Sequence, residues 1–498
     1  MSTLTATTPE TASPARVPSG GGWRGWAGPI AVTVLAAALR LPNLGRPQAL
    51  VFDETYYAKD ALSLLLYGHE QEAKEKANEM LLACNGDLTC ASEIFKNSPS
   101  YVVHPPFGKW VIAAGEWAFG ASPFGWRISV AVLGILSVLI LARVVRRMTG
   151  SDLLGTIAGL LLAIDGVAIA LSRTALLDGV LSFLVLVAFG CLVLDRDRTR
   201  RLQHTLRPWR WAAAIALGLA CGVKWSGLWF VIAFGLLTAF WDWGRRREHG
   251  EPNAFGRALV RDALPTALIW LPLILLTYLA TWYGWFSSGG YLRTWALDNG
   301  GYTGIQGALR SLAHYHQQAY AFHTGLTTAH SYQANAWGWP VMARPTSFFY
   351  ESEGLNCGAD TCSQEVIALG NPVIWWAAVL AVLHQVWRWA AVRDWRAGAV
   401  LCGFLAGWAP WLMYQERTVF SFYSIVFLPF MIMALTLSLG TILGTTADSR
   451  DRRGNGAVAV LAFLIVAVGV SWWFYPVWTA DVLTYHEWQM RMWLPTWV

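Results

Sequence analysis

The segment GWRISVAVLGILSVLILARVV (residues 125–145) decides the fold class of this chain. Its only charged residues, Arg127 and Arg143, lie close to its two ends. As an α-helix rising about 1.5 Å per residue, the segment is about 30 Å long, which matches the hydrocarbon core of a bilayer. It therefore predicts a transmembrane helix.

The same pattern recurs along the whole chain. Of the 498 residues, 55% are hydrophobic and only 14% are charged, which excludes an ordinary soluble domain. The sequence predicts an all-α polytopic membrane protein with about eleven transmembrane helices. The predicted spans are residues 28–45, 125–145, 153–171, 176–194, 209–223, 225–243, 262–282, 372–390, 398–413, 420–443 and 457–475.

The positions of the arginines predict the orientation, because short cytoplasmic loops are enriched in Lys and Arg. With the N-terminus in the cytoplasm, the inner loops contain ARVVRR, DRDRTRR, WGRRR, WRWAAVRDWR and DSRDRR. An odd number of helices then places the C-terminus outside. Residues 1–27, rich in Ser, Thr, Pro and Gly, predict a disordered cytoplasmic tail. The net charge of +6 reflects this topology and does not indicate nucleic acid binding.

Two large segments, residues 44–123 and 283–371, are predicted to lie outside the membrane on the outer face. Each contains one close cysteine pair, Cys84 with Cys90 and Cys357 with Cys362. Such pairs predict two disulfides in an oxidising compartment, with four free thiols as the alternative. The first pair does not suit zinc, because no second ligand pair lies near it.

Charged residues near a membrane are costly and usually mark function. Here most of them gather at the predicted outer ends of the helices. They are Asp53, Glu54, His104, Lys109, Arg127, Asp165, Arg173, Asp178, Lys224, Glu416 and Arg417. Asp165 is predicted to lie deepest, about 12 Å or two helical turns below Arg173. A transporter would place polar groups near the bilayer midplane in interrupted helices, so an outward-facing active site fits better.

This mixture of carboxylates and cations suits transfer of a glycosyl group from a lipid phosphate. A carboxylate takes the proton of the incoming hydroxyl, and basic groups stabilise the departing phosphate. The chain has no glycine-rich nucleotide loop such as G-x-G-x-x-G after a strand, which argues against a nucleotide-sugar donor. Asp53 and Glu54 are adjacent, so their side chains diverge and do not act together on one atom.

Several motifs resemble one known family in their order and position. They are FDETYYAKDA (52–61), HPPFGKW (104–110), WRIS (126–129), SRTALLDGVL (172–181), GVKWSGLW (222–229), HSYQANAWGWPVMARP (330–345) and GNPVIWW (370–376). Together they resemble the protein O-mannosyltransferases, especially actinobacterial members, which are GT-C glycosyltransferases. The resemblance implies a GT-C transmembrane bundle and polyprenyl-phosphate mannose as the donor. It also implies Ser or Thr of an exported polypeptide as the acceptor, mannosylated with inversion.

The resemblance also implies roles for individual residues. Asp53 corresponds to the family's catalytic acidic residue, proposed as the general base, and Glu54 to its neighbour; both are catalytic candidates. Arg127 corresponds to a functionally important arginine that opens the next span. From their positions, we expect Lys224 and Arg417 to contact the donor phosphate. The other candidates for substrate binding are His104, Lys109, Asp165, Arg173 and Asp178.

One departure from the family concerns domain organisation. Eukaryotic relatives carry a β-trefoil MIR domain in the large outer loop, whereas the loop at residues 283–371 has only about 90 residues. We therefore expect residues 28–498 to form one transmembrane catalytic domain without a MIR domain.

The carboxylates also have purely structural explanations. Asp53 and Glu54 fit a solvated pair that caps the following helix. Asp165, Arg173 and Asp178 fit an ion-pair network that positions the helices.

The histidines and a metal requirement leave further alternatives. His104 fits a hydrogen bond inside a proline-rigidified turn. His316, His323 and His330 recur every seven residues, but that spacing is about 10.5 Å on a helix, too long for a shared metal. The acidic pair of the FDETYY motif suits Mg²⁺ or Mn²⁺ held with the donor phosphate. Arg and Lys can also neutralise the phosphate unaided, so we expect no metal cofactor.

Two other functions compete with protein mannosylation. One is a related GT-C enzyme that glycosylates a lipid or glycan, and the other is a transporter of a lipid-linked sugar. For the mannosyltransferase, we expect the plasma membrane as the location and the lipid bilayer as the surroundings. The expected partners are the polyprenyl-phosphate mannose donor, an unfolded secretory polypeptide and the protein secretion channel.

Overall fold

The structure of the chain is a computed structural model that describes residue 22, residues 24–201 and residues 206–498. Most of the predicted tail, up to residue 21 and again at residue 23, lies outside the described residues. The first helix begins at Arg24, so it includes the last four residues of the predicted tail. Arg143 holds the first turn of this helix on the bundle. It donates to the Gly25 carbonyl at 2.8 Å and lies over the Trp26 ring.

Twenty-one α-helices occur in the described part of the chain, joined by short 3₁₀ and π turns. They are α1 (Arg24–Arg40), α2 (Glu54–Tyr67), α3 (Ala77–Ala83), α4 (Leu88–Ser92), α5 (Phe107–Phe119), α6 (Pro123–Thr149), α7 (Asp152–Ile164), α8 (Gly166–Ser172), α9 (Leu177–Arg201), α10 (Pro208–Val223), α11 (Gly227–Glu248), α12 (Ala254–Ala258), α13 (Leu264–Thr281), α14 (Tyr283–Ser288), α15 (Trp295–Gly300), α16 (Gly304–Gly325), α17 (Pro372–Val392), α18 (Trp395–Trp408), α19 (Leu428–Leu443), α20 (Arg450–Thr479) and α21 (Tyr485–Gln489).

Each of the eleven predicted spans contains helical structure. In the described residues, five helical stretches are long and apolar enough to cross a membrane by themselves, and a bent pair makes a sixth. The five are Pro123–Thr149, Leu177–Arg200, Gly227–Glu248, Ala254–Thr281 and Arg450–Thr479. The chain is thus a helical, multi-pass membrane protein, while the count of eleven spans stays a prediction.

The predicted span 153–171 is not one helix. It breaks at Asp165, where α7 ends and α8 begins at an angle of 62°. Asp165 has an extended backbone, and its side chain accepts a hydrogen bond from the Ala168 N–H at 3.2 Å, which caps α8. The prediction that Asp165 lies two turns below Arg173 on a continuous helix is therefore wrong.

Two other predicted spans change helix type along their length. The span 398–413 is α-helical only to Trp408 and then becomes a 3₁₀ turn, Ala409–Met413, which contains Pro410. The span 420–443 starts as a 3₁₀ turn, Ser421–Val426, and becomes α19 at Leu428. The segment between these two turns, residues 414–420, contains the candidate site residue Arg417.

Small residues bring the helices close together, as is common in membrane bundles. A Cβ added at Gly155 of α7 would lie 2.6 Å from the Ala142 carbonyl oxygen of α6. A Cβ at Gly115 of α5 would lie 2.3 Å from the Gly125 carbonyl oxygen of the same helix α6. Both positions require glycine because the backbones touch, which fixes α5 and α7 against the helix that carries Arg127.

Two small antiparallel sheets lie in the predicted outer segments. The strands are β1 (Gln71–Ala73), β2 (Phe95–Pro99), β3 (Thr346–Glu351), β4 (Cys362–Ala368) and β5 (Val482–Thr484). β1 pairs with β2, and β4 lies between β3 and β5 in the second sheet. The two predicted cysteine pairs are disulfides, Cys84–Cys90 before β2 and Cys357–Cys362 at the start of β4. The second sheet therefore joins the large outer loop to the C-terminal segment.

Candidate active site

Asp53 lies at the N-terminus of α2, in the loop that follows α1. Its backbone is already helical, with φ −69° and ψ −5°, and its side chain caps no helix N–H in the described structure. The carboxylate instead accepts a hydrogen bond from the Tyr57 hydroxyl at 3.3 Å. The alternative that this carboxylate is a helix cap is therefore wrong.

Glu54 points in the opposite direction, into the protein. It forms a fully buried two-point ion pair with Arg127, with both N–O distances 2.8 Å. Its oxygens also accept hydrogen bonds from the N–H groups of Val51 at 3.0 Å and Ala175 at 2.8 Å. Four donors occupy this carboxylate, so it anchors the loop and has no capacity left for a substrate.

Arg127 completes the same anchor. Besides Glu54, it donates to the carbonyl oxygens of Leu44, Pro47 and Ala49 at 2.8–3.3 Å. A planar guanidinium with five N–H donors is suited to hold a carboxylate and several carbonyls at once. The prediction that Arg127 binds substrate is not supported, because its contacts are all internal.

A cavity of about 290 Å³ opens among the N-terminal ends of α9 and α11, the C-terminal end of α10, helix α16 and the 3₁₀ segments around residue 410. Four predicted site residues line it: His104, Asp178, Lys224 and Arg417. Its other lining residues are Trp225, Ser226, Leu228, Trp229, Tyr320, His323, Thr324, Pro410, Trp411, Tyr414 and Tyr423. The cavity is thus mostly aromatic, with cations, one carboxylate and histidines in its wall.

Two cations face this cavity. Lys224 contacts the Asp178 carboxylate at 2.7 Å and lies 5.0 Å from the centre of the Tyr423 ring. Arg417 lies 5.5 Å from the centre of the Trp411 ring, and its buried Nε has no hydrogen-bond partner among the described residues. A buried, unused N–H donor is costly, and an anion in the cavity satisfies it.

Asp53 is electrostatically coupled to these groups. Burial raises the pKa of Asp53 to about 6, the positive charge of Lys224 opposes that rise, and the negative charge of Asp178 adds to it. The Tyr57 hydrogen bond also favours the ionised form. A carboxylate with this pKa is ionised at neutral pH and still basic enough to accept a proton.

Two histidine rings form part of the wall and stay neutral. The rings of His104 and His323 lie 5.0 Å apart. The Nε2–H of His323 donates to the Val103 carbonyl at 2.9 Å, which leaves Nδ1 to accept from Arg417 at 3.3 Å. Burial lowers the pKa of His323 to about 4, and burial lowers the pKa of His104 well below its usual value. The His323 ring therefore positions Arg417, and neither ring adds charge to the wall.

Besides Asp53, Glu54 and Arg127, three more predicted site residues lie outside the cavity lining. Lys109 is buried and pairs with Glu70, with Asp60 3.8 Å away. Arg173 donates to the carbonyls of Arg40, Pro42 and Asn43 at 2.7–2.9 Å. These contacts fold the first outer segment, so substrate binding by either residue is not supported.

Asp165 is the third of these residues. Its carboxylate accepts from the N–H of Asn371 at 3.1 Å and from the Trp375 indole at 2.7 Å. It therefore joins the helix break to the start of α17. The alternative of one ion-pair network that includes Asp165, Arg173 and Asp178 is also wrong, because Asp178 pairs with Lys224 and the other two bind backbone or indole groups.

Sequence reasoning missed the aromatic half of the site. Trp225, Trp411 and Tyr423 line the cavity, and Tyr57 binds Asp53, yet aromatic residues are so common in this chain that none stood out. Trp225 was detectable, because it directly follows the candidate phosphate ligand Lys224 in the motif GVKWSG.

The three evenly spaced histidines have different surroundings. His323 lines the cavity, His316 stacks on Trp225, and His330 lies against Phe52. The described residues contain no group of three or more His, Cys, Asp or Glu side chains that could hold a metal. The residue pair considered for Mg²⁺ or Mn²⁺ does not fit a shared ion, because the Glu54 carboxylate is fully occupied.

Comparisons with known proteins identify family models and relatives that match this chain. Residues 30–281 match the family "Dolichyl-phosphate-mannose-protein mannosyltransferase", and residues 308–497 match the "C-terminal four TMM region of protein-O-mannosyltransferase". The polyprenol-phosphate-mannose–protein mannosyltransferase of Mycolicibacterium smegmatis is 36% identical, over 95% of this chain and 93% of that protein. The enzyme of the same name from Corynebacterium glutamicum is 32% identical, over 94% and 92%.

Solved structures show the same fold at low sequence identity. The S. cerevisiae protein O-mannosyltransferase Pmt1-Pmt2 complex bound to the sugar donor has a TM-score of 0.75 at 15% identity, covering 95% of this chain and 93% of that chain. The archaeal oligosaccharyltransferase AglB from Archaeoglobus fulgidus has a TM-score of 0.51 at 15% identity, covering 90% and 55%. The fold is that of the GT-C membrane glycosyltransferases, and the chain belongs to the protein O-mannosyltransferase family.

Proposed function

We propose that this protein transfers mannose from polyprenyl-phosphate mannose to Ser or Thr hydroxyls of exported proteins, with inversion, at the outer face of the cell membrane. One observation carries the proposal. Lys224 and Arg417, the latter with a buried unpaired N–H, face one cavity, and Asp53 is electrostatically coupled to it. The relatives from Mycolicibacterium and Corynebacterium carry the corresponding name over nearly their full length.

The residues suggest a single displacement at the sugar. Asp53 accepts the proton of the acceptor hydroxyl as its oxygen attacks C1 of mannose from the face opposite the phosphate. The new O–C1 bond forms while the bond from C1 to the phosphate oxygen breaks. The electron pair leaves with polyprenyl phosphate, whose charge Lys224 and Arg417 stabilise. The neutral ring of His323 holds Arg417 in place through the 3.3 Å hydrogen bond.

The proposal includes a topology. Eleven spans place residues 1–27 in the cytoplasm, and the catalytic domain 28–498 has its loops 44–123 and 283–371 and its C-terminus outside. Both disulfides fall in these two loops, which supports an oxidising outer compartment. The arginine-rich segments all fall on the other side. The short second loop supports the absence of a MIR domain.

The acceptor and the surroundings follow from the same placement. An acceptor hydroxyl must reach a cavity at the membrane surface, which an unfolded chain does more easily than a folded protein. We therefore include the protein secretion channel as a partner that delivers such chains, and the lipid bilayer as the source of the donor.

Transfer from a labelled donor tests the function. Membrane vesicles receive labelled polyprenyl-phosphate mannose and a Thr/Pro-rich peptide, and label is counted in peptide and in organic extract. The wild type should label the peptide, and Asp53→Asn should lower the rate at least about 100-fold, because the base is lost.

The matched control is Asp360→Asn, which removes an exposed carboxylate from the outer loop and should keep the wild-type rate. Equal labelling by wild type and Asp53→Asn would contradict the role of Asp53. Label confined to the organic extract would instead indicate a lipid acceptor.

A further inference from the structure

Phe52, the residue before the candidate base, has an unusual backbone. Its φ is +47°, in the left-handed region. A bulky aromatic residue rarely adopts this conformation, which is strained and persists only where the surroundings enforce it. The next residue is Asp53, so the direction of the base depends directly on this strained position.

The side chain of Phe52 is held by four rings, which we call the aromatic cluster. The ring centres of Phe348, Phe420, Phe422 and His330 lie 5.3, 5.4, 5.5 and 5.9 Å from that of Phe52. Three of the four contacts are edge-on, a favourable arrangement for aromatic pairs.

The members of the aromatic cluster also hold one another. Phe422 contacts both Phe348 and Phe420, with ring centres 5.3 and 5.7 Å apart. Phe348 and Phe422 are buried. The nitrogen Nδ1 of His330 accepts a hydrogen bond from the Tyr332 N–H at 3.1 Å, which fixes that ring at the rim. The aromatic cluster therefore forms a packed pocket that holds the Phe52 side chain.

The contacts also come from a distant part of the sequence. Phe52 lies in the N-terminal family region, residues 30–281, whereas all members of the aromatic cluster lie in the C-terminal region, residues 308–497. Phe348 belongs to β3, and Phe422 belongs to the 3₁₀ turn before α19. The two regions of the chain thus meet directly beside the candidate base.

The chain is fixed on the other side of Asp53 as well. Glu54 is held by Arg127 and by two backbone N–H groups, one of them that of the buried Val51. Asp53 thus lies between an anchored carboxylate and an anchored aromatic ring. In this loop its side chain is the one coupled to Lys224 of the cavity.

We propose that Phe52 is a positioning residue, and that the aromatic cluster of the C-terminal region enforces the left-handed backbone that directs the Asp53 carboxylate toward the cavity. This inference rests on the proposed function, in which Asp53 is the base. Phe52 itself contacts neither donor nor acceptor. Its contribution should therefore appear in the rate of the chemical step and not in donor binding.

Two substitutions separate this role from ordinary packing. Phe52→Ala removes the ring but keeps a Cβ, so the left-handed backbone loses its support and relaxes. Phe52→Gly also removes the ring, but glycine adopts the left-handed conformation without strain. A role in packing alone predicts unchanged kcat for both folded variants, whereas a role in positioning predicts that glycine partly restores what alanine loses.

The experiment measures kcat and donor KM in the labelled-mannose assay, per amount of folded protein, with melting temperature as the folding check. We expect Phe52→Ala to lower kcat about tenfold or more while donor KM stays within about twofold. Phe52→Gly should show a kcat between those of Phe52→Ala and the wild type.

A variant in the distant region tests the origin of the constraint and remains informative if Phe52→Ala does not fold. Phe348→Ala should lower kcat with unchanged donor KM, whereas its neighbour on β3 outside the cluster, Phe349→Ala, should keep wild-type kcat. Wild-type kcat in folded Phe348→Ala, or glycine no better than alanine at position 52, would overturn the inference. No transfer by the wild type would instead contradict the proposed function.

Discussion

Two adjacent carboxylates have opposite surroundings in this protein. Glu54 is completely buried and bound by four donors, whereas Asp53 is partly exposed and accepts one side-chain hydrogen bond, from Tyr57. Their divergence follows from helix geometry, which separates neighbouring side chains by about 100°. The acidic pair therefore combines a candidate base, Asp53, with a structural anchor, Glu54.

The pKa of Asp53 predicts the pH dependence of transfer. Burial raises this pKa from 3.8 to about 6, so the carboxylate becomes protonated as the pH falls through 6. Only the ionised form accepts a proton, so kcat/KM should rise between pH 5 and pH 7 with an apparent pKa of about 6. Transfer rates measured from pH 4.5 to 8, at fixed ionic strength and at a donor concentration well below KM, check this prediction.

Another carboxylate with a raised pKa provides the control for that profile. Glu365 on β4 accepts from the Trp488 indole at 2.6 Å, and burial raises its pKa to about 7. Glu365 lies outside the cavity lining. The substitution Glu365→Gln should therefore leave the rise in kcat/KM between pH 5 and pH 7, the acidic limb of the profile, unchanged. Loss of the limb in Glu365→Gln, or a wild-type rate that is flat from pH 5 to 7, would contradict the assignment to Asp53.

At the scale of elements, irregular segments carry the polar groups of this bundle. The break between α7 and α8 exists because Asp165 caps α8, and the same carboxylate binds the Asn371 N–H at the start of α17. The 3₁₀ turns near Pro410 and Ser421 place aromatic residues at the cavity and at Phe52. Continuous helices would leave these positions facing their neighbours in the bundle.

A buried charge cluster joins the predicted cytoplasmic ends of three helices. Asp195 of α9 and Asp242 of α11 each pair with Arg210 of α10 and with Arg207, at 2.8–3.1 Å. Arg210 also donates to Thr266 of α13 at 2.8 Å. The residues of this charge cluster are distant in sequence from the candidate base. Their ion pairs fix the packing of these helices.

Removal of one partner from this cluster should be strongly destabilising. Arg210→Ala removes one positive partner from each of two buried carboxylates, so we expect a loss of about 3 kcal/mol in the free energy of unfolding. Thermal unfolding in detergent measures it. Arg198→Ala, an exposed arginine on the same helix as Asp195, should change stability by less than about 0.5 kcal/mol. Equal effects of the two substitutions would show that the buried pairs contribute little.

At the scale of the whole molecule, the two family regions are joined at the candidate active site. The N-terminal region supplies Asp53, Asp178 and Lys224, and the C-terminal region supplies Arg417 and His323. Neither region alone contains both the candidate base and the two candidate phosphate contacts. The cavity therefore depends on the packing of the complete bundle.

The proposed orientation of this bundle predicts which residues react from outside the cell. Tyr56→Cys, next to the candidate base and exposed on α2, should be labelled by a membrane-impermeant maleimide on intact cells. Arg198→Cys should be labelled only after permeabilisation. The free cysteines Cys191 and Cys221 are buried, and the half-buried Cys402 is replaced by Ser in the parent of both variants to keep the background low. If Arg198→Cys were labelled on intact cells, or if Tyr56→Cys were not labelled there, the proposed topology would be contradicted.

The sequence by itself determined the membrane class, the helical positions, the family and the close cysteine pairs. These features depend on local composition, on residue order or on short spacings, which need no knowledge of packing. The same local information identified Asp53, His104, Asp178, Lys224 and Arg417 as site candidates, and the structure brings four of these to the cavity wall and couples the fifth to it.

Only the tertiary structure decided which charged residues are free and which are occupied. Arg127, Arg173 and Asp165 resemble the site residues in sequence, but their partners are carbonyls, amides or carboxylates brought together by packing. The strained backbone of Phe52 and its contacts with Phe348 likewise depend on residues about 300 positions apart. Burial and pairing are properties of three-dimensional neighbours, so no local pattern distinguishes an anchoring charge from one that faces a substrate.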